Sequence, residues 1–291
     1  MRYKLVAIDL DGTLLDSHGE VSEENKQAIK KLKDQGAEIV ITSGRMSSSI
    51  KEIAEEIGAN KYFISGNGSM IYDIEQNKII YNNTLSKEKV LKIIKICEKN
   101  SIYCSINTES SIITNNLAYN TLVYNYENSK KAENKITKIN VVNDLYEYIN
   151  STNTSLITKI TICDDNEIVF KRMLKIFKEI PEINVLEVSH MSKKVIKSGT
   201  ENIDIKYYYT EITNENVNKW EAIHFLINNL GIKKEETAAI GDNVNDIEMI
   251  QNAGLGIIMG DSALSTKELG NIITKSCDES GVAYAINNYI L

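Results

Sequence analysis

Asp9 and Asp11 stand two residues apart in Asp9-Leu10-Asp11-Gly12-Thr13, directly after the apolar run Leu5-Val6-Ala7-Ile8. Two carboxylates at such a place cannot both be buried as bare anions; they require a cation or a shared proton. Gly12 permits a tight exit from the preceding strand. A second acidic set, Gly241-Asp242-Asn243-Val244-Asn245-Asp246, follows the apolar residues 238–240 in the same way. Asp242 is a candidate third oxygen ligand. Oxygen donors with no His or Cys beside them favour Mg²⁺. In Ile41-Thr42-Ser43-Gly44-Arg45 another apolar run ends and a helix is expected to open. A hydroxyl and free N–H groups at a helix N-terminus suit a phosphate. Each feature also has a plainer reading: an aspartate-capped turn, an Asx turn ahead of a helix, or a serine N-cap. Lys219, just ahead of a helix from Trp220, is one of 33 basic residues and by itself would face solvent.

The elements that must position these residues alternate. Residues 3–8, 38–42 and 61–65 read as buried strands, and the apolar spacing of Ala28, Ile29 and Leu32 gives a helix after Ser22. Ile50, Ile53, Ala54 and Ile57 give a second helix, with Gly36 and Gly58 as stops. Gly66-Asn67-Gly68 is a turn, and residues 71–72 and 79–81 form a hairpin. From about 86 to 187 the pattern changes to helices alternating with paired strands, with strands at 102–106, 112–114 and 157–162. Alternation returns with a strand at 206–212, a helix at 220–230 ended by Gly231, and a strand at 238–240. A helix from 247, a strand at 255–259 and a helix at 282–290 complete the chain. The expected fold is α/β: a doubly wound, mostly parallel, Rossmann-like sheet built from residues 1–83 and 190–291, with an α+β unit inserted at 84–189.

Composition narrows the function. The chain has 291 residues and a net charge of −7. An acidic surface argues against nonspecific nucleic-acid or anionic-membrane binding, which needs a basic face. No apolar stretch approaches the roughly 20 residues of a membrane span. The first apolar run stops at Asp9, short of a signal-peptide core, so a cytoplasmic location is expected. Cys97, Cys104, Cys163 and Cys277 form no C-x-x-C pair and are expected to be buried thiols in a reducing compartment. His18, His190 and His224 show no metal spacing.

Taken in order, a strand-end acid pair, a strand-end serine, a helix-start lysine and a second acid set resemble the four motifs of the haloacid dehalogenase (HAD) superfamily, Cof-type. Asp9 to Leu15 is similar to the first motif, Ser43-Gly44-Arg45 to the second, Lys219 to the third, and Gly241-Asp242 through Asn245-Asp246 and Met249 to the fourth. Gly66-Asn67-Gly68, Met259-Gly260 and Glu279-Ser280-Gly281 agree with it. Thr42-Ser43 stands where Ala-Thr is usual, which keeps the hydroxyl.

The resemblance implies a Mg²⁺-dependent phosphatase acting on small phosphorylated metabolites, of the sugar phosphate, FMN or pyridoxal phosphate class. It assigns Asp9 as nucleophile and Asp11 as general acid and base, with Asp9, the Asp11 carbonyl and Asp242 on the metal. Ser43, Gly44, Lys219 and Asn245 would hold phosphate; Asp246, Arg45, Gly12 and Thr13 would support. The inserted unit would be a cap selecting the leaving group, with Tyr103, Tyr119, Tyr124 and Tyr126 open to stacking on a substrate ring or to ordinary packing. Two further readings share these motifs: a phosphomutase or phosphotransferase on sugar phosphates, and a noncatalytic phospholigand-binding protein.

Overall fold

The computed structural model describes residues 2–59, 61–131, 136–154, 156–186, 191–198 and 201–291. The first strand, Leu5–Asp9 (β1), is buried along its whole length. Val6 and Ile8 enter one core, Leu5 and Ala7 another. A strand covered on both faces has no solvent side, so its sequence is a continuous apolar run rather than an alternation. Ser22 caps the following helix, Glu23–Asp34 (α1), by accepting from the Asn25 N–H at 3.2 Å. Glu38–Thr42 (β2), Ser47–Glu56 (α2) and Tyr62–Ser65 (β3) follow, then the hairpin Met70–Asp73 (β4) and Lys78–Asn82 (β5). Helix α2 opens at Ser47 and not at Ser43, because Met46 keeps an extended backbone (φ −70°, ψ 153°) as its cap residue. Ser43-Gly44-Arg45 is therefore loop.

Two compact units divide the chain: residues 1–82 with 217–291, and residues 83–216. The second contains Lys87–Lys99 (α3), Tyr103–Thr108 (β6), Ser111–Thr114 (β7), Tyr119–Asn128 (α4), Lys138–Val141 (β8), Leu145–Ser151 (α5), Ile157–Asp164 (β9), Glu167–Lys178 (α6), Ile183–Val185 (β10), Ser192–Ser198 (β11) and Glu201–Asn214 (β12). Its sheet runs β10-β12-β9-β6-β7-β8, with β11 paired to β12. One face carries Cys104, Ile106, Ile160, Ile162 and Ile212 into a core shared with α3, α5 and α6. Ring contacts occupy tyrosines of this unit: Tyr103 meets Tyr119 at 5.4 Å, and Tyr119 meets Tyr207 at 5.6 Å.

The strand expected at 206–212 as the return to the first sheet is instead part of β12. It pairs antiparallel with β9, β10 and β11. The chain re-enters the first unit at Val217, not at 190; Ser189 and His190 themselves lie outside the described residues.

The first unit then continues with Lys219–Leu230 (α7), Thr237–Gly241 (β13), Ile247–Asn252 (α8), Leu255–Ile258 (β14), Leu264–Lys267 (α9), Ile272–Ile273 (β15) and Gly281–Ala285 (α10), whose axis runs on as a wider turn to Ile290. Its eight strands order as β15-β14-β13-β1-β2-β3-β4-β5, parallel except for the β3-β4-β5 meander. This is the doubly wound α/β architecture. Val6, Ile8, Ile39, Ile41, Ala238 and Ile240 pack with α1, α2 and α10 on one side. Leu5, Ala7, Val40 and Ala239 pack with α7 and α8 on the other. All four cysteines are buried free thiols. Among the described residues, no helix is long and apolar enough to cross a membrane.

Candidate active site

β13, β1 and β2 are neighbours and parallel, so their carboxyl ends share one rim of the sheet. In open α/β sheets this rim is where ligands bind. Asp9 is the last residue of β1 and is level with Thr42 at the end of β2. Gly241 ends β13, and Asp242 follows it. The carboxylates of Asp9, Asp242 and Asp246 come together, one oxygen from each lying within 4.8 Å of the others. Residues more than 230 positions apart thus meet because two strands adjacent in the sheet are remote in the chain.

The loops are shaped for this approach. Gly12 has φ +81°, and a Cβ there would lie 2.8 Å from Asp242 Oδ2. The backbone conformation and the closeness of Asp242 both require glycine. Thr13, fully buried, donates from Oγ1 to Asp242 Oδ1 at 3.2 Å. Asp246 Oδ2 accepts the backbone N–H groups of Asp242 and Asn243, both at 3.0 Å. Its other oxygen takes Lys219 Nζ at 2.6 Å. With both oxygens committed, Asp246 is a brace for the 242–246 loop.

Lys219 opens α7, whose N-cap Asn218 accepts from the Glu221 N–H. Its side chain is 0% exposed, the opposite of what a lone lysine suggests. It donates to Asp9 Oδ1 and to Asp246 Oδ1. Burial alone would depress the ammonium, but Asp246 and Asp9 beside it hold its pKa above the ordinary lysine value. One ammonium faces three carboxylates, and the excess negative charge shows. Burial, then the charge of Asp246, push Asp9 well above the usual carboxylate range despite Lys219. Asp242 is pushed up to about 6, by burial first and Asp246 second. Three carboxylates against one ammonium leave such a set short of two positive charges. With Asp246 engaged, Asp9 and Asp242 are the carboxylates left to hold a cation, and an all-oxygen donor set suits a hard divalent ion.

Asp11 stands apart from this cluster. Its side chain is half exposed and is gripped by Arg45, with Nε and Nη2 each taking one carboxylate oxygen. Ser43 is buried, and its Oγ accepts the Arg45 backbone N–H at 3.1 Å. Asn245 donates from Nδ2 to Asn67 Oδ1 at 2.9 Å. Gly44 lies under the same amide, where a Cβ would come 2.9 Å from Asn67 Oδ1. In the sequence Gly66-Asn67-Gly68 reads as a turn that agrees with the family resemblance, with no site role for Asn67. An asparagine held between two glycines was the available signal, since glycine would fill a turn more freely.

Fold and site together define a doubly wound α/β protein with a strand-end aspartate cluster at the ligand-binding rim of its sheet. A family model described as haloacid dehalogenase-like hydrolase matches residues 6–286, so the chain belongs to that family. It is 29% identical over 291 residues to phosphatase YwpJ of Bacillus subtilis, covering 99% of this chain and all of the relative. It is 27% identical to the 5-amino-6-(5-phospho-D-ribitylamino)uracil phosphatase YcsE of the same organism, over 99% of this chain and 96% of that protein. A haloacid dehalogenase-like hydrolase from Bacteroides thetaiotaomicron superposes with a TM-score of 0.77 at 28% identity, covering 98% of both chains.

Proposed function

We propose that the protein is a Mg²⁺-dependent phosphomonoesterase that works through an aspartyl-phosphate on Asp9. The observation that supports this most directly is the meeting of Asp9, Asp242 and the buried Lys219 at one strand-end rim. Mg²⁺ held by Asp9, Asp242 and the Asp11 carbonyl would supply the missing positive charge and polarise the phosphoryl group. Asp9 attacks phosphorus in line; the P–O bond to the alcohol breaks, and the alkoxide takes a proton from Asp11. Water then attacks the aspartyl-phosphate, giving its proton to Asp11 and releasing inorganic phosphate with Asp9 restored. Ser43, the Gly44 backbone, Lys219 and Asn245 hold the remaining phosphoryl oxygens. Lys219 also fixes Asp9 through their direct bond.

Residues 83–216 serve in this reading as the cap that selects the leaving group. The substrates are small cytoplasmic phosphomonoesters of the sugar phosphate, FMN or pyridoxal phosphate class. YcsE, named for a phosphorylated ribityl chain on a ring, is a relative consistent with that range.

Phosphate release from p-nitrophenyl phosphate with Mg²⁺ tests the reading. The wild type is expected to turn over and Asp9→Asn to be inactive. Binding of phosphorylated ligands without turnover across a broad panel would overturn the enzymatic reading. An Asp9→Asn variant as fast as wild type would remove Asp9 as nucleophile.

A further inference from the structure

The turn Gly66-Asn67-Gly68 touches each of the three separate segments that carry the phosphate-binding residues. All three of its residues have positive φ: 59°, 57° and 102°. That region favours glycine, and asparagine is among the few other residues that enter it readily. The Gly66 N–H reaches the Arg45 carbonyl and the Asn67 N–H the Ser43 carbonyl, both at 3.0 Å. These two bonds fix the loop holding Ser43 and Gly44. Gly68 packs against the start of α7: a Cβ there would lie 2.0 Å from the Asn218 carbonyl oxygen. That contact sets where Lys219 begins its helix. The Asn67 side chain covers Gly44 and accepts from Asn245 Nδ2.

We infer that Asn67 is a positioning residue for phosphate binding, acting through the amide of Asn245. The inference rests on the phosphatase reading of the same site. An amide has two N–H donors. With one given to Asn67, the Asn245 side chain is held in one orientation, and its second donor is fixed before a phosphate arrives. Binding to a preoriented donor avoids the ordering cost that a free side chain carries. The side chain of Asn67 is what a glycine at 67 would lack, while glycine would adopt the turn without strain.

The test uses inorganic phosphate as the probe, its affinity read by calorimetry in the presence of Mg²⁺, with Asn67→Gly, Asn245→Ala and the double variant. Calorimetry needs no turnover, so failure of the phosphatase reading appears separately, as a wild type that binds phosphate but does not hydrolyse p-nitrophenyl phosphate. Asn67→Gly is expected to weaken phosphate by about threefold to tenfold, the scale of one lost hydrogen bond. In the active enzyme KM rises more than kcat falls. The double variant is expected to bind no worse than Asn245→Ala alone, because Asn67 works through that residue. Wild-type affinity in Asn67→Gly, or an equal loss with and without Asn245, overturns the inference. Should the glycine variant melt early, Asn67→Ser takes its place: serine adopts this backbone elsewhere in the chain, at Ser101 and Ser280, and its shorter side chain withdraws the acceptor from Asn245. It is expected to weaken phosphate by about threefold to tenfold as well; unchanged affinity there overturns the inference equally.

Discussion

The Arg45 guanidinium holds both carboxylate oxygens of Asp11, Nε to Oδ2 at 2.9 Å and Nη2 to Oδ1 at 2.5 Å. Both side chains are well exposed, at 37% and 54%. An exposed pair adds little to stability. Its effect is geometric: a planar fork fixes a carboxylate in a way that a lysine cannot. If Asp11 gives its proton to the leaving alcohol, that orientation is what Arg45 contributes.

Arg45→Lys therefore separates orientation from charge. Turnover of an alkyl phosphomonoester is expected to fall by about tenfold, within the contribution of one acid–base group. Turnover of p-nitrophenyl phosphate should change less, because its leaving group needs little protonation. The melting temperature should stay within about 2 °C of wild type. Equal losses on both esters would count against an orienting role.

Charge at the metal site makes stability depend on pH and on Mg²⁺ together. Asp242 titrates at about 6 in the folded chain without metal, against about 3.9 for an unfolded aspartate. A raised folded value means that the folded state holds the proton more tightly. The contribution of Asp242 is thus full below about pH 4 and lost as pH rises through about 6. A divalent cation competes with that proton. In EDTA-dialysed protein, added Mg²⁺ should raise the melting temperature near pH 8, and the increment should shrink as pH falls through about 6. An increment independent of pH would place the ion elsewhere.

Much of this was legible in the sequence for a physical reason. Leu5 to Ile8 and Ala238 to Ile240 are buried on both faces, so they had to be unbroken apolar runs ending where the polar rim begins. Ser22 and Gly231 marked helix ends through local backbone chemistry, a side-chain cap and a left-handed residue at φ 66°. The strand Glu201–Asn214 was harder. Its run of β-prone residues, Tyr207, Tyr208, Tyr209, Thr210 and Ile212, announces a strand. Which sheet receives it depends on β9, some 50 residues earlier in the chain. The partners of Arg45 and Asn67 were hidden likewise, because each bond spans loops that only the finished sheet brings together.

The two units should also separate on folding. Residues 83–216 are continuous and contain their own core, with Val90, Ile94, Ile160, Phe177 and Ile212 buried in it. That length lies within the usual range of roughly 50–250 residues for a domain. Expressed alone, 83–216 is expected to give a cooperative thermal transition by circular dichroism. Residues 1–82 alone are not, because β1 lacks its partner β13. A non-cooperative 83–216 would show that its core needs the first unit.

Removing Lys219 exposes the charge balance of the site. Lys219 is fully buried and bonded to two carboxylates. Lys219→Met leaves Asp9 and Asp246 without their ammonium, and unpairing a buried ion pair costs about 3–5 kcal/mol. The melting temperature of metal-free protein should fall by roughly 10 °C. Adding Asp246→Asn to that variant removes one of the stranded charges and should restore part of the loss. Mg²⁺ should restore part as well, since the carboxylates of Asp9 and Asp242 then repel less across the cation. Asp246→Asn in the wild-type chain should instead destabilise, because Asp246 Oδ2 receives two backbone N–H groups and its Oδ1 the ammonium. The sign change of this one substitution, measured by thermal melts in the two backgrounds, is the decisive readout. If Asp246→Asn destabilises equally in both, the loss in Lys219→Met comes from packing and not from unbalanced charge.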